Sequence, residues 1–381
     1  MCERPFFQSY GLPTRRLLPC PSQSALHYEM TKQLILLAGL HKTGTTSIQR
    51  TCAKHQSLLE KAGVTYPVYS YQRPGSPDRH NDQNHSTLLQ YMFRRRSSGH
   101  LTGFNSSSPP VPEQLPHIQA VFSSLIERHN PSTLLMVAEA VSIFSREQLL
   151  DLRNWFNIRG FGIRLLCCIR SPLSWLTSMT DQRVAGARGP HLTIRAAIEQ
   201  FEQIAGIIRP RLANIASVFS DAEFYGFKSA TSHQAGPVGY FFDKTGIELE
   251  GRAMPVRANE GRSDHVVRIW SLINEEVRPP SNRNDARYIS FLNSIPAGLR
   301  SVRGVKFTLR RDELAGLLPL LDEENNWLRA NFGEEFCDEK IELTNDRPSL
   351  DDQTRAQLQA IATTTEPRVR QVINKYLAAY D

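Results

Sequence analysis

The residues best suited to chemistry cluster in Leu34-Ile-Leu-Leu-Ala-Gly-Leu-His-Lys-Thr-Gly-Thr-Thr-Ser-Ile-Gln49. An apolar strand pattern runs into a short turn holding Gly39 and Gly44, and a helical pattern follows. Glycine permits positive φ and lets a backbone come close to a ligand. The backbone N–H groups of Thr43, Gly44, Thr45 and Thr46 are then expected to point at an anion at a helix N-terminus, where the dipole favours negative charge. Lys42 adds a full positive charge, and the hydroxyls of Thr45 and Thr46 add donors. This constellation reads as a cradle for a 5′-phosphate. It does not have the G-x-x-x-x-G-K-[ST] order of nucleoside triphosphatases, because Lys42 precedes Gly44. The plainer alternative is a capped strand–helix turn with an incidental lysine.

The string H-K-T-G-T-T-S-I-Q resembles the 5′-phosphosulfate loop of sulfotransferases that use 3′-phosphoadenosine 5′-phosphosulfate (PAPS), especially the bacterial-type members. The resemblance implies an α/β, P-loop-like fold with PAPS as co-substrate. It also implies a second anion site for the 3′-phosphate: an arginine ending a strand, and a serine eight residues later on the next helix. Leu165-Leu-Cys-Cys-Ile-Arg170-Ser-Pro-Leu-Ser-Trp-Leu-Thr-Ser178 supplies Arg170 and Ser178 in that arrangement, with Pro172 where a helix start tolerates it. An arginine leaving the carboxyl edge of a sheet can meet a phosphate through two parallel hydrogen bonds. Arg257-Ala-Asn-Glu-Gly-Arg-Ser263 resembles the family's C-terminal lid over the nucleotide, N-x-S-x-S in many bacterial members, with Gly261 in place of its first serine. On this likeness Arg257 and Gly261 belong with the nucleotide, and Arg262 is a further phosphate contact. The likeness covers roughly residues 32–335.

Sulfuryl transfer needs a base for the acceptor's proton and positive charge at the leaving phosphate oxygen. Lys42 suits the second role. His85, in Gln83-Asn-His-Ser86, is the first candidate base, because histidine titrates near neutrality and N-H-S resembles a segment of bacterial-type members. A solvated loop histidine is its bland alternative. Glu139, ending the apolar run Thr133-Leu-Leu-Met-Val-Ala-Glu139, is the second; many relatives have S-S-E there, and the alternative is that Glu139 holds the acceptor or caps a helix. His41 ranks third. Gln182 and Arg183 face acceptor or solvent. No zinc signature such as H-E-x-x-H and no G-x-S-x-G nucleophile elbow is present, so no metal is expected.

The elements that must position these groups alternate. Strands are expected at Thr31–Ala38, Val64–Tyr66, Thr133–Glu139, Ile163–Ile169 and Ala222–Phe227. Helices are expected at Thr45–Ala62, Thr87–Phe93, Ile118–Arg128, Ser145–Asn157, Leu173–Val184, Ile194–Ile207 and Pro237–Thr245. Further helices are expected at Asp264–Glu276, Arg311–Phe332 and Ser349–Leu377. Alternation of this kind predicts a three-layer α/β fold with a central, mostly parallel sheet and a helical C-terminal part over 264–381. Ligands bind at the carboxyl edge of such sheets. Residues 1–29 read as a disordered or mis-assigned extension, 30–381 as one domain, and 97–116 as a mobile Ser/Pro-rich loop.

The 381 residues carry a net charge of +7, and 22% are charged, which suits an anionic ligand but is too dispersed for nucleic acid. Six cysteines without C-x-x-C spacing suggest a reducing compartment. The longest apolar run is strand-sized, so neither a membrane span nor a secretory signal is expected, and a cytoplasmic location follows. The acceptor would be a hydroxyl or amine, by family breadth a carbohydrate or lipid-linked sugar. Two other readings stay open: a nucleotide-dependent kinase on a related fold, and a degenerate nucleotide-binding scaffold without turnover.

Overall fold

The computed structural model describes residues 32–72, 79–93, 115–186, 191–202, 208–249, 261–277, 290–291, 295, 297–339 and 343–381. The expected 1–29 extension, nearly all of the 97–116 loop and Arg257 lie outside the described residues.

Five strands form one parallel sheet: β1 (Lys32–Leu37), β2 (Val64–Thr65), β5 (Thr133–Val137), β6 (Phe161–Ile169) and β7 (Glu223–Gly226), in the order β2-β5-β1-β6-β7. Their alternation supplies two cores. Leu34, Leu36, Leu134, Met136, Leu165 and Cys167 face one side, while Ile35, Leu37, Leu135, Val137, Leu166 and Cys168 face the other. Both faces are therefore covered, which is why these strands read as continuous apolar runs. The connection from β1 leaves toward β2, and that from β6 leaves toward β7. The crevice between β1 and β6 is thus the topological switch point at the carboxyl edge.

The helices used below are α1 (Thr45–Lys54), α2 (Gln56–Lys61), α3 (His85–Phe93), α4 (Leu115–His129), α5 (Arg146–Asn157), α6 (Pro172–Ala185), α7 (Ile194–Glu202), α8 (Arg209–Val218), α9 (Phe227–Ser232), α10 (Gly236–Thr245) and α11 (Asp264–Val277). The start of α5 carries a capping box between Ser145 and Gln148. The left-handed Gly246 ends α10.

Several expectations are corrected. The helix expected over Thr45–Ala62 breaks at His55, where φ is −113° and ψ 31°, and restarts as α2. Tyr69–Gln72 (β3) and Arg79–Asp82 (β4), where no strand was expected, pair as an antiparallel hairpin. Helix α8 was not foreseen; Pro210 sits at its first turn, where a missing N–H costs nothing. The helix expected over Arg311–Phe332 starts only at Leu318, with Pro319 in its first turn. The long C-terminal helix is two, Asp352–Thr364 and Pro367–Ala378. Pro367 cannot continue a preceding helix, and the Glu366 carboxylate instead accepts from the N–H groups of Arg368 and Val369. Among the described residues no helix is long and apolar enough to cross a membrane.

Candidate functional site

The segment between β1 and α1 runs along the carboxyl end of β6, where the N–H groups of Ala38 and Leu40 donate to Leu166 and Cys168. Gly39 makes that approach possible. A Cβ there would lie 2.9 Å from Thr43 Oγ1 and 3.1 Å from Cys168 Cβ. Lys42 (φ 68°) and Gly44 (φ 83°) are both left-handed, which turns successive amides toward one concavity. The Thr43 hydroxyl donates to the Leu40 carbonyl at 2.6 Å and fixes the turn. Gly44 is the N-cap of α1 and offers no side chain, so the first turn has no internal cap. Among the described residues, the backbone N–H groups of Lys42, Thr43, Gly44, Thr45 and Thr46 donate to no acceptor. A helix start this well packed, with Thr43 and Thr45 each 2% exposed, leaves those donors suited to an anion.

Two threonines expected to serve the ligand through their hydroxyls differ. Thr45 donates its hydroxyl to Glu139, whereas the Thr46 hydroxyl makes no hydrogen bond among the described residues. Lys42 forms no ion pair through Nζ among the described residues, and burial pushes its pKa down against the raising field of Asp181. The fields of Arg262 and Arg170 push the same way as burial, and that of Glu139 opposes them.

Strand β5 stops at Val137, so Glu139 is not a strand end but opens a 3₁₀ turn, Glu139–Ile143. One carboxylate oxygen takes the Thr45 hydroxyl and the other lies 3.5 Å from His41 Nδ1. Burial raises its pKa, but the His41 contact, the Thr45 hydroxyl and the Lys42 charge outweigh this and hold the carboxyl below the usual range. Glu139 is thus an anion built into the loop.

His85 does not join it. The ring is 0% exposed. Nε2–H donates to the Pro67 carbonyl at 2.7 Å, and Nδ1 accepts from the Val137 N–H at 3.0 Å. Burial drops its pKa to about 4, against both backbone bonds. With each nitrogen committed to the backbone, the expected role as base has no lone pair to use. The Asn84-His85-Ser86 segment is instead a clamp. Asn84 accepts from Gln49 of α1, His85 from Val137, and Ser86 Oγ from the Ala140 N–H at 3.1 Å. The Val137 and Ala140 contacts hold the backbone on either side of Glu139, and the Gln49 contact ties the clamp to α1.

Arg170 leaves β6 on the other side of β1. Its Nη1 donates to the Lys42 carbonyl at 2.8 Å and its Nε to Ser174 Oγ at 2.8 Å, with the guanidinium 4.8 Å from the Phe227 ring centroid. Burial lowers its pKa to about 10. Ser174, one turn into α6, accepts this Arg170 bond, while Ser178, expected to hold the same phosphate as Arg170, is half-buried and makes no side-chain hydrogen bond among the described residues. The N-terminus of α6 is capped from afar: Asp338 accepts from the N–H groups of Leu173 and Ser174 at 2.8 and 3.4 Å.

From the third segment, Gly261 is exposed and a Cβ there would meet nothing within 4 Å, so no steric demand explains it. Arg262 does reach the site. Ser263 bridges Lys306, and Arg262 Nη1 donates to Asp181 Oδ1 on α6 at 2.7 Å. Asp181 is the residue missed by the sequence reading, which stopped at its neighbours Gln182 and Arg183. Arg183 turns away to Gln200 Oε1 at 2.9 Å and the Phe201 ring. No spacing signal marks Asp181, since its partners arrive from remote segments. Comparison with family models, with characterised proteins and with solved structures returned no match. Among the described residues, no group of three or more His, Cys, Asp and Glu is placed to hold a metal ion.

Proposed function

We propose that the chain is a PAPS-dependent sulfotransferase with a P-loop-like nucleotide site in the β1/β6 crevice. The observation that carries the reading is the run of N–H groups from Lys42 to Thr46 that, among the described residues, donate to no acceptor at the uncapped start of α1, with a lysine ammonium that there forms no ion pair beside it. These groups suit the 5′-phosphosulfate, which when bound supplies the sulfuryl group for an acceptor hydroxyl or amine. Arg170, at the strand end next door, suits the 3′-phosphate through its remaining amino group. Lys42 places positive charge where negative charge would build on a leaving oxygen, and burial strengthens that field. Glu139 is ionised near neutrality and, with His85 committed to the backbone, leads His41 as the candidate to accept the acceptor's proton. A carbohydrate or lipid-linked sugar remains the proposed acceptor class.

The test is a thermal-shift titration with 3′,5′-ADP, 5′-AMP, and ATP with Mg²⁺, on the wild type and Lys42→Ala. A ligand at about 100 times its Kd stabilises by roughly 2.7 kcal/mol. A shift of a few degrees with 3′,5′-ADP alone, lost in Lys42→Ala, is expected. A shift only with ATP and Mg²⁺ would transfer the chain to the kinase reading, and no shift with any of them to the scaffold.

A further inference from the structure

Asp181 stands among three cations. It is 6% exposed, and its Oδ1 accepts the Arg262 guanidinium at 2.7 Å. Its field supports the charges of Lys42 and Arg170, both of which burial disfavours. Arg262 and Arg170 in turn push the Lys42 proton off, so both guanidiniums act against the lysine's charge. Such a group of desolvated cations is costly unless an anion sits among them. Glu139 serves Lys42 from the other side but is tied to Thr45 and His41.

We propose that Asp181 is an internal competitor for the ligand's anionic group: its carboxylate takes the Arg262 guanidinium that a bound phosphate or sulfate also claims. The inference rests on the phosphate-binding reading above. Asp181 is then a positioning residue that sets affinity, trading stability of the free protein against grip on the nucleotide. A carboxylate in this position also speeds release of a multiply charged product, because it replaces the departing anion at Arg262.

The competition has a signature that a purely structural ion pair lacks. In Asp181→Asn the side chain keeps its shape, and the amide oxygen still accepts from Arg262, but the negative charge is gone. The melting temperature of the free protein should fall, while affinity for 3′,5′-ADP, measured by calorimetry, should rise about tenfold. Inorganic phosphate should tighten in the same direction. A structural role moves both quantities down together. Wild-type protein that binds 3′,5′-ADP, with an Asp181→Asn variant that binds it equally or more weakly, overturns the inference and leaves the nucleotide site standing. Wild-type protein that binds neither 3′,5′-ADP nor phosphate overturns the site and the inference with it. Asp181→Ser, also neutral, gives the same reading if the amide variant does not fold.

Discussion

His85 shows how a residue chosen for its chemistry can be spent on architecture. Its type and neighbours were readable, and its burial was not, because burial depends on Tyr66 packing edge-on at 4.8 Å and on two backbone partners far apart in sequence. The same geometry gives a measurable consequence. The folded ring titrates near 4, while an unfolded histidine titrates near 6.5. Between these values the unfolded chain holds a proton that the folded chain refuses, so stability rises with pH across that window. As pH falls from 7 to 4 the residue should cost roughly 3 kcal/mol, levelling off below. Urea midpoints of wild type and His85→Gln across this range provide the check. The variant should be less stable at pH 7 and show a flatter slope; parallel slopes would mean that His85 is not the group titrating.

At the scale of elements, the strands were legible because residues buried on both faces leave an unbroken apolar run. The Lys42 loop was legible because glycine, lysine and threonine coincide at one junction. The β3–β4 hairpin was hidden by polar residues, and the breaks at His55 and Thr365 by helical composition on both sides. What no local pattern could give is the tightness of the β1–α1 loop against β6. Gly39→Ala tests it. The added methyl would crowd Thr43 Oγ1 and Cys168, and overpacking of this kind typically costs about 1–3 kcal/mol. Relief requires Thr43 to release its hydrogen bond to Leu40, which also loosens the amide concavity. Denaturant unfolding should therefore show the loss of stability, and the thermal shift with 3′,5′-ADP should shrink with it. An unchanged urea midpoint would show that the loop has room to spare.

At the scale of the whole molecule, the site draws on both ends of the described chain. Arg262 precedes α11, and the next residue but two, His265, is 1% exposed beneath the C-terminal helices. Its Nδ1 accepts from the Tyr376 hydroxyl at 2.8 Å, and its Nε2–H donates to the Ser349 carbonyl at 3.3 Å. Asp338 reaches back in the same way to cap α6. The helical C-terminal part was read from the sequence as helix, but its service to the site was not, because those contacts join segments with no shared motif. Tyr376→Phe should leave Nδ1 of a buried histidine without its donor and cost about 1–3 kcal/mol in denaturant unfolding. The shift with 3′,5′-ADP should survive, since no group of the proposed nucleotide site is altered. A loss of binding without a loss of stability would contradict that separation.

The Tyr376–His265 bond also sets an order of events during synthesis. A ribosome releases the amide concavity at Lys42 early and Tyr376 only near the opposite end of the sequence. The segment that carries Arg262 docks earlier, since Ser263 Oγ donates to the Val302 carbonyl and the Asp264 N–H to the Val305 carbonyl, but His265 lacks its Tyr376 donor until the last helix emerges. Nascent chains thus hold His265 with its Nδ1 unpartnered by Tyr376 beside an unfinished core, a stretch in which a chaperone has most to offer.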